Sequence, residues 1–289
     1  MNRILTDILE RIVAYKKEEI RLAMQSVSRR ELEKKEGFNR PVYSLREFLL
    51  KPEKTGIIAE FKRKSPSRGV FNDRATVQEV TCGYARAGAS ALSVLTDGPS
   101  FGGSADDLSE ARFNALPILR KEFILDPYQL AESRAMGADA ILLIAACLSP
   151  RQTEMLAREA RELGLEVVLE IHEEEELGQL TDCIDVVGIN NRNLRDFSVD
   201  PDRSIRLAQK LPAEIVRIAE SGIRDVETLM KLRSAGFHGF LIGEQFMHAP
   251  EPAFAFAAFV EELKTKLNES ESLRNDAARP GQEAGRDRN

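Results

Sequence analysis

A (β/α)8 barrel, an α/β fold of the TIM-barrel type with an N-terminal helical extension, is what this sequence predicts, and three observations carry that prediction. From residue 56 onward, short aliphatic or β-branched runs alternate with amphipathic stretches. Eight such runs occur, each followed by a helical pattern, which is the strand and helix count of a closed parallel barrel. Most of the runs are almost continuously apolar, as parallel strands covered on both faces are. An open doubly wound sheet is the alternative, but it usually has fewer strands and opens on a glycine-rich turn that this chain lacks.

The elements follow in order. Residues 1–45 form the extension, with Ile4, Leu5, Ile8, Leu9, Ile12 and Val13 in one apolar stripe at helical spacing. It is expected to cap an open end of the barrel; a partner-binding helix is the competing reading. The barrel is expected over residues 46–267, with strands GIIAEF (56–61), ASALSVLT (89–96), PILRKEF (117–123) and ADAILLIAA (138–146). The remaining strands are EVVLEI (166–171), CIDVVGIN (183–190), IVRIAE (215–220) and GFLIG (239–243). Between them, Asp126-Pro127 and Ser149-Pro150 pair an N-cap with proline at the first helical position, while Gly88, Gly137 and Gly164 stand as C-terminal stops. The tail 268–289 has little apolar surface to bury and is expected to be disordered.

Composition narrows the function classes. The 289 residues are 43% hydrophobic and 30% charged, as in an ordinary soluble globular protein, and the net charge of −6 without a basic stripe argues against nucleic acid as a partner. The longest apolar run, AILLIAACL from Ala140, is far short of the roughly 20 residues that span a bilayer. Asp7 and Glu10 interrupt the N-terminus where a signal peptide needs an unbroken apolar core, so a cytoplasmic protein without a membrane partner is expected. Cys82, Cys147 and Cys183 form no C-x-x-C pair and read as reduced thiols. His172, His238 and His248 have no zinc-ligand spacing, and no dinucleotide or Walker loop is present, so neither metal nor cofactor is expected. A monomer or weak homo-oligomer is the expected form.

Barrels of this kind build their active sites at the C-terminal strand ends. Those ends carry Glu60 and Lys62, Thr96, Lys121 with Phe123, Glu170, Asn190 and Arg192, Glu220 with Ser221, and Gly243. Glu60 and Lys62 flank Phe61, so an acid and a base share one face where core residues would otherwise stand. Glu170 ends a buried strand, where an unpaired carboxylate would be costly. Asn190 begins NNRN and reads equally well as a turn former. His172 shares a face with Glu170 but is read as a loop residue beyond the strand and set aside. Gly222 in AESGI and Gly243 in LIGEQF follow the last two strands, where this fold cradles phosphate on backbone N–H groups. The pattern therefore points to acid–base chemistry on a phosphorylated small molecule.

The segments AEFKRKSPSRG, SVLTDGPSFGGS, PILRKEFILDPYQ, GADAILLIAACL, VLEIH, VGINNRNL, AESGI and FLIGEQFM, in that order, resemble the indole-3-glycerol-phosphate synthase family of tryptophan biosynthesis. ILERIVAYKKEEI is similar to the family's helical extension. The resemblance implies a lyase that closes, decarboxylates and dehydrates 1-(2-carboxyphenylamino)-1-deoxyribulose 5-phosphate to indole-3-glycerol phosphate, CO2 and water. It implies catalytic roles for Glu60, Lys62, Lys121, Glu170 and Asn190, with Lys121 as general acid at the carbonyl and Lys62 at the substrate carboxylate, partnered by Glu60. Glu170 and Asn190 would meet the sugar hydroxyls. Ser65, Pro66, Phe101 and Phe123 would wall the aromatic ring, and Leu241 would join the substrate-binding set. Arg192, Ser221, Gly222, Gly243 and Glu244 would hold the phosphate, Glu244 mainly through its backbone N–H. Glu122 and Asn193 depart from the family's usual aspartates, and Gly98-Pro99-Ser100 replaces a more acidic loop. Two other readings of the residues are a Schiff-base aldolase, since a strand-end lysine can form an imine, and a phosphate-ligand barrel without catalysis.

Overall fold

The computed structural model of the chain describes residues 3–66, 68–192 and 198–277. Asn193, the tail beyond Ala277, and the side chains of Ile4 and Leu5 lie outside the described residues.

Eight parallel strands close into one barrel: β1 (Ile57–Phe61), β2 (Ala91–Leu95), β3 (Ile118–Lys121), β4 (Ala140–Ile144), β5 (Glu166–Ile171), β6 (Val186–Asn190), β7 (Val216–Glu220) and β8 (Gly239–Ile242). Each pairs with its neighbours in sequence, and β1 closes the ring against β8 with Ile58 beside Leu241. Every strand lies inside its predicted run, because apolar content on both faces is a local signal. The helix signals hold for the same reason. Asp126 and Ser149 form capping boxes ahead of Pro127–Met136 and Pro150–Glu162, and Gly88 and Gly137 end their helices in the left-handed region at φ 106° and 92°.

Two apolar layers hold the barrel. The outer layer lies between the strands and the surrounding helices and includes Leu92, Ile141, Val167 and Phe240. The inner layer is built from Ile58, Leu119, Leu142, Val168 and Ile218. The segment before β1 closes this layer at both ends. Leu45 and Leu49, from the helix Leu45–Leu50, join the inner layer at the N-terminal end, where a side chain on Gly239 would strike Leu49. Helix α1 (Arg3–Ser26) contributes Ile12 to the inner layer and docks its far end on Tyr128, whose hydroxyl donates to the Val27 carbonyl at 2.8 Å.

The structure departs from the sequence reading at two boundaries. The helix Leu45–Leu50 crosses the division placed after residue 45, because its two buried leucines pack into the barrel. The last helix runs Pro252–Ala277, past the tail boundary at Asn268. Asn268 to Ala277 carries good helix formers (Glu, Leu, Arg, Ala) that extend an existing helix without a new nucleus, although it offers no apolar face.

Candidate active site

Strand register brings the polar ends of five strands to one mouth. Asn190 sits beside Glu220, Glu220 beside Leu241, Glu170 beside Ile144 and Lys121 beside Leu95. Lys121 Nζ lies 2.7 Å from Glu170 and 2.9 Å from Glu220. Glu170 also accepts from Asn190 Nδ2 at 3.1 Å and stands 3.2 Å from His172 Nε2. Lys62 Nζ is 2.7 Å from Glu60, whose other oxygen faces the Ser93 hydroxyl at 3.4 Å. Glu60, Lys62, Lys121, Glu170, Asn190 and Glu220 line a cavity of about 490 Å3, with His172 and Ser93 behind them.

Electrostatics decide which of these groups are charged. Burial opposes the Lys121 ammonium, but Glu170, Glu220 and Glu60 outweigh it and hold its pKa well above the ordinary lysine value. Burial likewise opposes the Glu170 carboxylate, yet Lys121 and His172 keep it ionised well below the usual carboxylate range. Glu220 goes the other way. Burial lifts its carboxyl, with Lys121 opposing and Glu170 adding to the lift, to about 7. One carboxyl is thus fixed as an anion beside another that can exchange a proton near neutrality, which is the division that acid–base chemistry uses.

Two glycines make room for these acids. A Cβ on Gly188 would lie 2.1 Å from Glu220 Oε1, and one on Gly243 would lie 2.7 Å from Glu60. The sequence reading gave Gly243 to close backbone approach toward a phosphate; the structure shows that its missing side chain first accommodates Glu60. Its φ of −134° needs no glycine, so the constraint is steric. Gly243→Ala is therefore expected to lower kcat about tenfold or more by displacing Glu60, with any KM rise secondary. Steady-state kinetics check this, and a rise in KM alone would return Gly243 to the phosphate.

The aromatic side is built by Phe101 and Phe123, with ring centroids 6.3 Å apart, together with Ser65 and Pro66 from the turn after β1. Ile8, Leu9 and Ile12 of α1 face the same cavity. Across the barrel, Arg192, Ser221, Gly222, Leu241, Gly243 and Glu244 line it together. Ser221 has φ 67°, the one positive value among the described non-glycine residues, and Gly222 follows at 70°. Asn191, fully buried, fixes this strained turn by donating to the Ser221 carbonyl at 2.7 Å. Glu244 begins the short helix Glu244–Met247, and its carboxylate lies between Arg68 at 3.0 Å and Arg192 at 3.3 Å. Two guanidiniums beside helix-terminal backbone suit a phosphate.

The chain matches the family described as indole-3-glycerol phosphate synthase over residues 9–259. An indole-3-glycerol phosphate synthase of Bacteroides thetaiotaomicron is 48% identical over 260 residues, covering 89% of this chain and 99% of that protein. One of Polaromonas naphthalenivorans is 42% identical over 263 residues, covering 88% and 98%. This chain belongs to the indole-3-glycerol phosphate synthase family. A mutant tryptophan synthase α-subunit from Pyrococcus furiosus shares the fold, with a TM-score of 0.57 at 17% identity over 74% of this chain and 99% of that one.

Every residue that the family resemblance assigned to the site lines this one cavity, whereas Thr96 at its strand end does not, and four further residues stand in the cavity or behind its wall. Glu220 was noted at a strand end but not placed in the site; its register beside Asn190 and the room left by Gly188 were the missing signals. His172, set aside as a loop residue, is 4% exposed and packed against Glu170. Arg68 could be reached only through its pairing with Glu244. Lys16 of α1, inside a run of charges, is buried because two acids await it on the barrel, at Asp97 and Glu122.

Proposed function

We propose that this chain converts 1-(2-carboxyphenylamino)-1-deoxyribulose 5-phosphate to indole-3-glycerol phosphate, CO2 and water, with Lys121 as the acid of ring closure. The observation that carries the reading is the Lys121 ammonium, held between Glu170 and Glu220 in a cavity with two phenylalanines on its own side and two arginines with helix-terminal backbone across the barrel. A substrate with an aryl ring at one end and a phosphate at the other spans such a cavity, placing its carbonyl near the middle.

The aryl carbon attacks the carbonyl carbon while Lys121 gives a proton to the carbonyl oxygen. Lys62 offsets the ring carboxylate until CO2 leaves and the ring electrons are restored. The hydroxyl then departs as water with a proton from Lys62, and Glu60, paired with Lys62, takes the proton from the neighbouring ring carbon as the nitrogen lone pair assists formation of the indole. Glu170 and Asn190 orient the sugar hydroxyls. The aldolase alternative needs a neutral lysine amine, and the carboxylates around Lys121 work against one.

No described helix is long and apolar enough to cross a membrane. The three free cysteines support a cytoplasmic enzyme, read as a monomer or weak homo-oligomer.

Incubation with the carboxyphenylamino substrate should yield indole fluorescence and one CO2 per product. The chain contains no tryptophan, so the signal rises without indole background from the protein. Absence of product from folded enzyme at saturating substrate would overturn the assignment.

A further inference from the structure

We infer that Lys16 of α1 is a positioning residue that sets the aryl-binding wall of the active site from outside it. Its Nζ lies 3.0 Å from Asp97 Oδ2 and 3.0 Å from Glu122 Oε1, and its side chain is 5% exposed. Each acid holds one of the two rings. Asp97 caps the short helix Gly98–Phe101 by accepting from the Ser100 N–H at 2.7 Å, and that helix carries Phe101. Glu122 Oε1, the oxygen that meets Lys16, also accepts from the Phe123 N–H at 2.8 Å. The Tyr15 hydroxyl reinforces the first branch, donating to Asp97 at 2.7 Å and lying 2.9 Å from the Ser100 hydroxyl.

One ammonium thus ties together three pieces of chain: α1, the segment carrying Phe101 and the segment carrying Phe123. Helix α1 in turn presents Ile8, Leu9 and Ile12 to the cavity, so the same tether places apolar surface from a third direction. Asp97 is fully buried and the Glu122 side chain is 3% exposed, so removing Lys16 leaves two neighbouring carboxylates without their shared cation, Glu122 keeping only Arg120 at 3.8 Å. Two buried like charges relax by taking up a proton or by moving apart. Either route frees the backbone that each one anchors. Lys16 does not line the cavity, and Lys121, Glu170 and Glu220 bond one another independently of it. The consequence falls on aryl recognition and leaves the proton-transfer groups in place.

This inference rests on the aryl ring lying between Phe101 and Phe123. In Lys16→Met, which keeps the stem and loses the charge, KM for the carboxyphenylamino substrate should rise about tenfold while kcat stays within about threefold. Competitive inhibition by glycerol 3-phosphate, which has no aryl group, should keep its Ki within about twofold. Lys16→Arg, which can still reach both acids, should recover most of the lost KM. Should Lys16→Met not fold, Tyr15→Phe removes only the hydroxyl and should raise KM in the same direction by about two- to threefold. An unchanged KM in the folded Lys16→Met or Tyr15→Phe enzyme, or equal losses in substrate and glycerol 3-phosphate binding, would overturn the inference. Failure of the wild type to turn over the substrate would instead overturn the proposed function.

Discussion

Lys121→Met should lower kcat by at least about a hundredfold, the scale of a lost general acid. The substitution keeps the stem in its slot between β2 and β4 and removes only the charge. Glu170 and Glu220, each within 3 Å of Nζ in the wild type, would then lose their shared cation. Their most direct relief is protonation, because two buried carboxylates side by side cannot both stay ionised cheaply. The proposed acid is gone and the carboxylate that should stay anionic is neutralised, so the chemical step is hit twice. KM should change much less, since the substitution leaves the two phenylalanines and the Arg68–Arg192 side in place. Single-turnover measurement of product formation isolates that step from release. A kcat within tenfold of wild type would remove Lys121 from the acid role.

Glu170→Gln should be nearly as damaging, lowering kcat by about a hundredfold with KM little changed. Glutamine preserves the shape and can still meet Asn190, but it cannot balance the Lys121 ammonium or accept a proton. Glu220 and Glu60 remain near Lys121, so the lysine keeps its charge and the loss reports on Glu170 itself. Because Glu170 is held well below the usual carboxylate range, it does not titrate near neutrality in the wild type. The acid limb of the pH–kcat profile should therefore persist in Glu170→Gln, following Glu220, and move below its wild-type position of about 7 because Glu170 no longer adds to the lift. Disappearance of that limb in the variant would show that Glu170 was its source.

Much of this architecture was legible in the sequence because its signals are local. Continuous apolar runs gave the strands, and Asp126-Pro127 and Ser149-Pro150 gave helix starts, since a cap and a proline act within one turn. Glu60, Lys62, Lys121 and Glu170 could be found as charges at strand ends. What remained hidden depends on packing across the barrel. Glu220 joins the site because β6 carries a glycine at 188, in register two pairs before Asn190 and so on the same face, and only closure of the sheet brings that space to it. His172 is buried because the helical turn Glu174–Gln179 folds back beside it, with Glu176 accepting from its backbone N–H at 2.5 Å. Lys16 sits in YKKEE, where nothing local separates it from the exposed Lys17; its burial is decided by acids more than eighty residues away.

The central claim is that Lys121 acts as a charged acid and never as a covalent partner. Sodium cyanoborohydride, which at neutral pH reduces an iminium ion in preference to a ketone, added to the enzyme during turnover and followed by mass analysis of the peptide containing Lys121, tests it most directly. Unmodified Lys121, continued turnover and product in the same yield as without reductant are expected. A substrate-dependent mass increase on Lys121, matching a reduced imine, would contradict it.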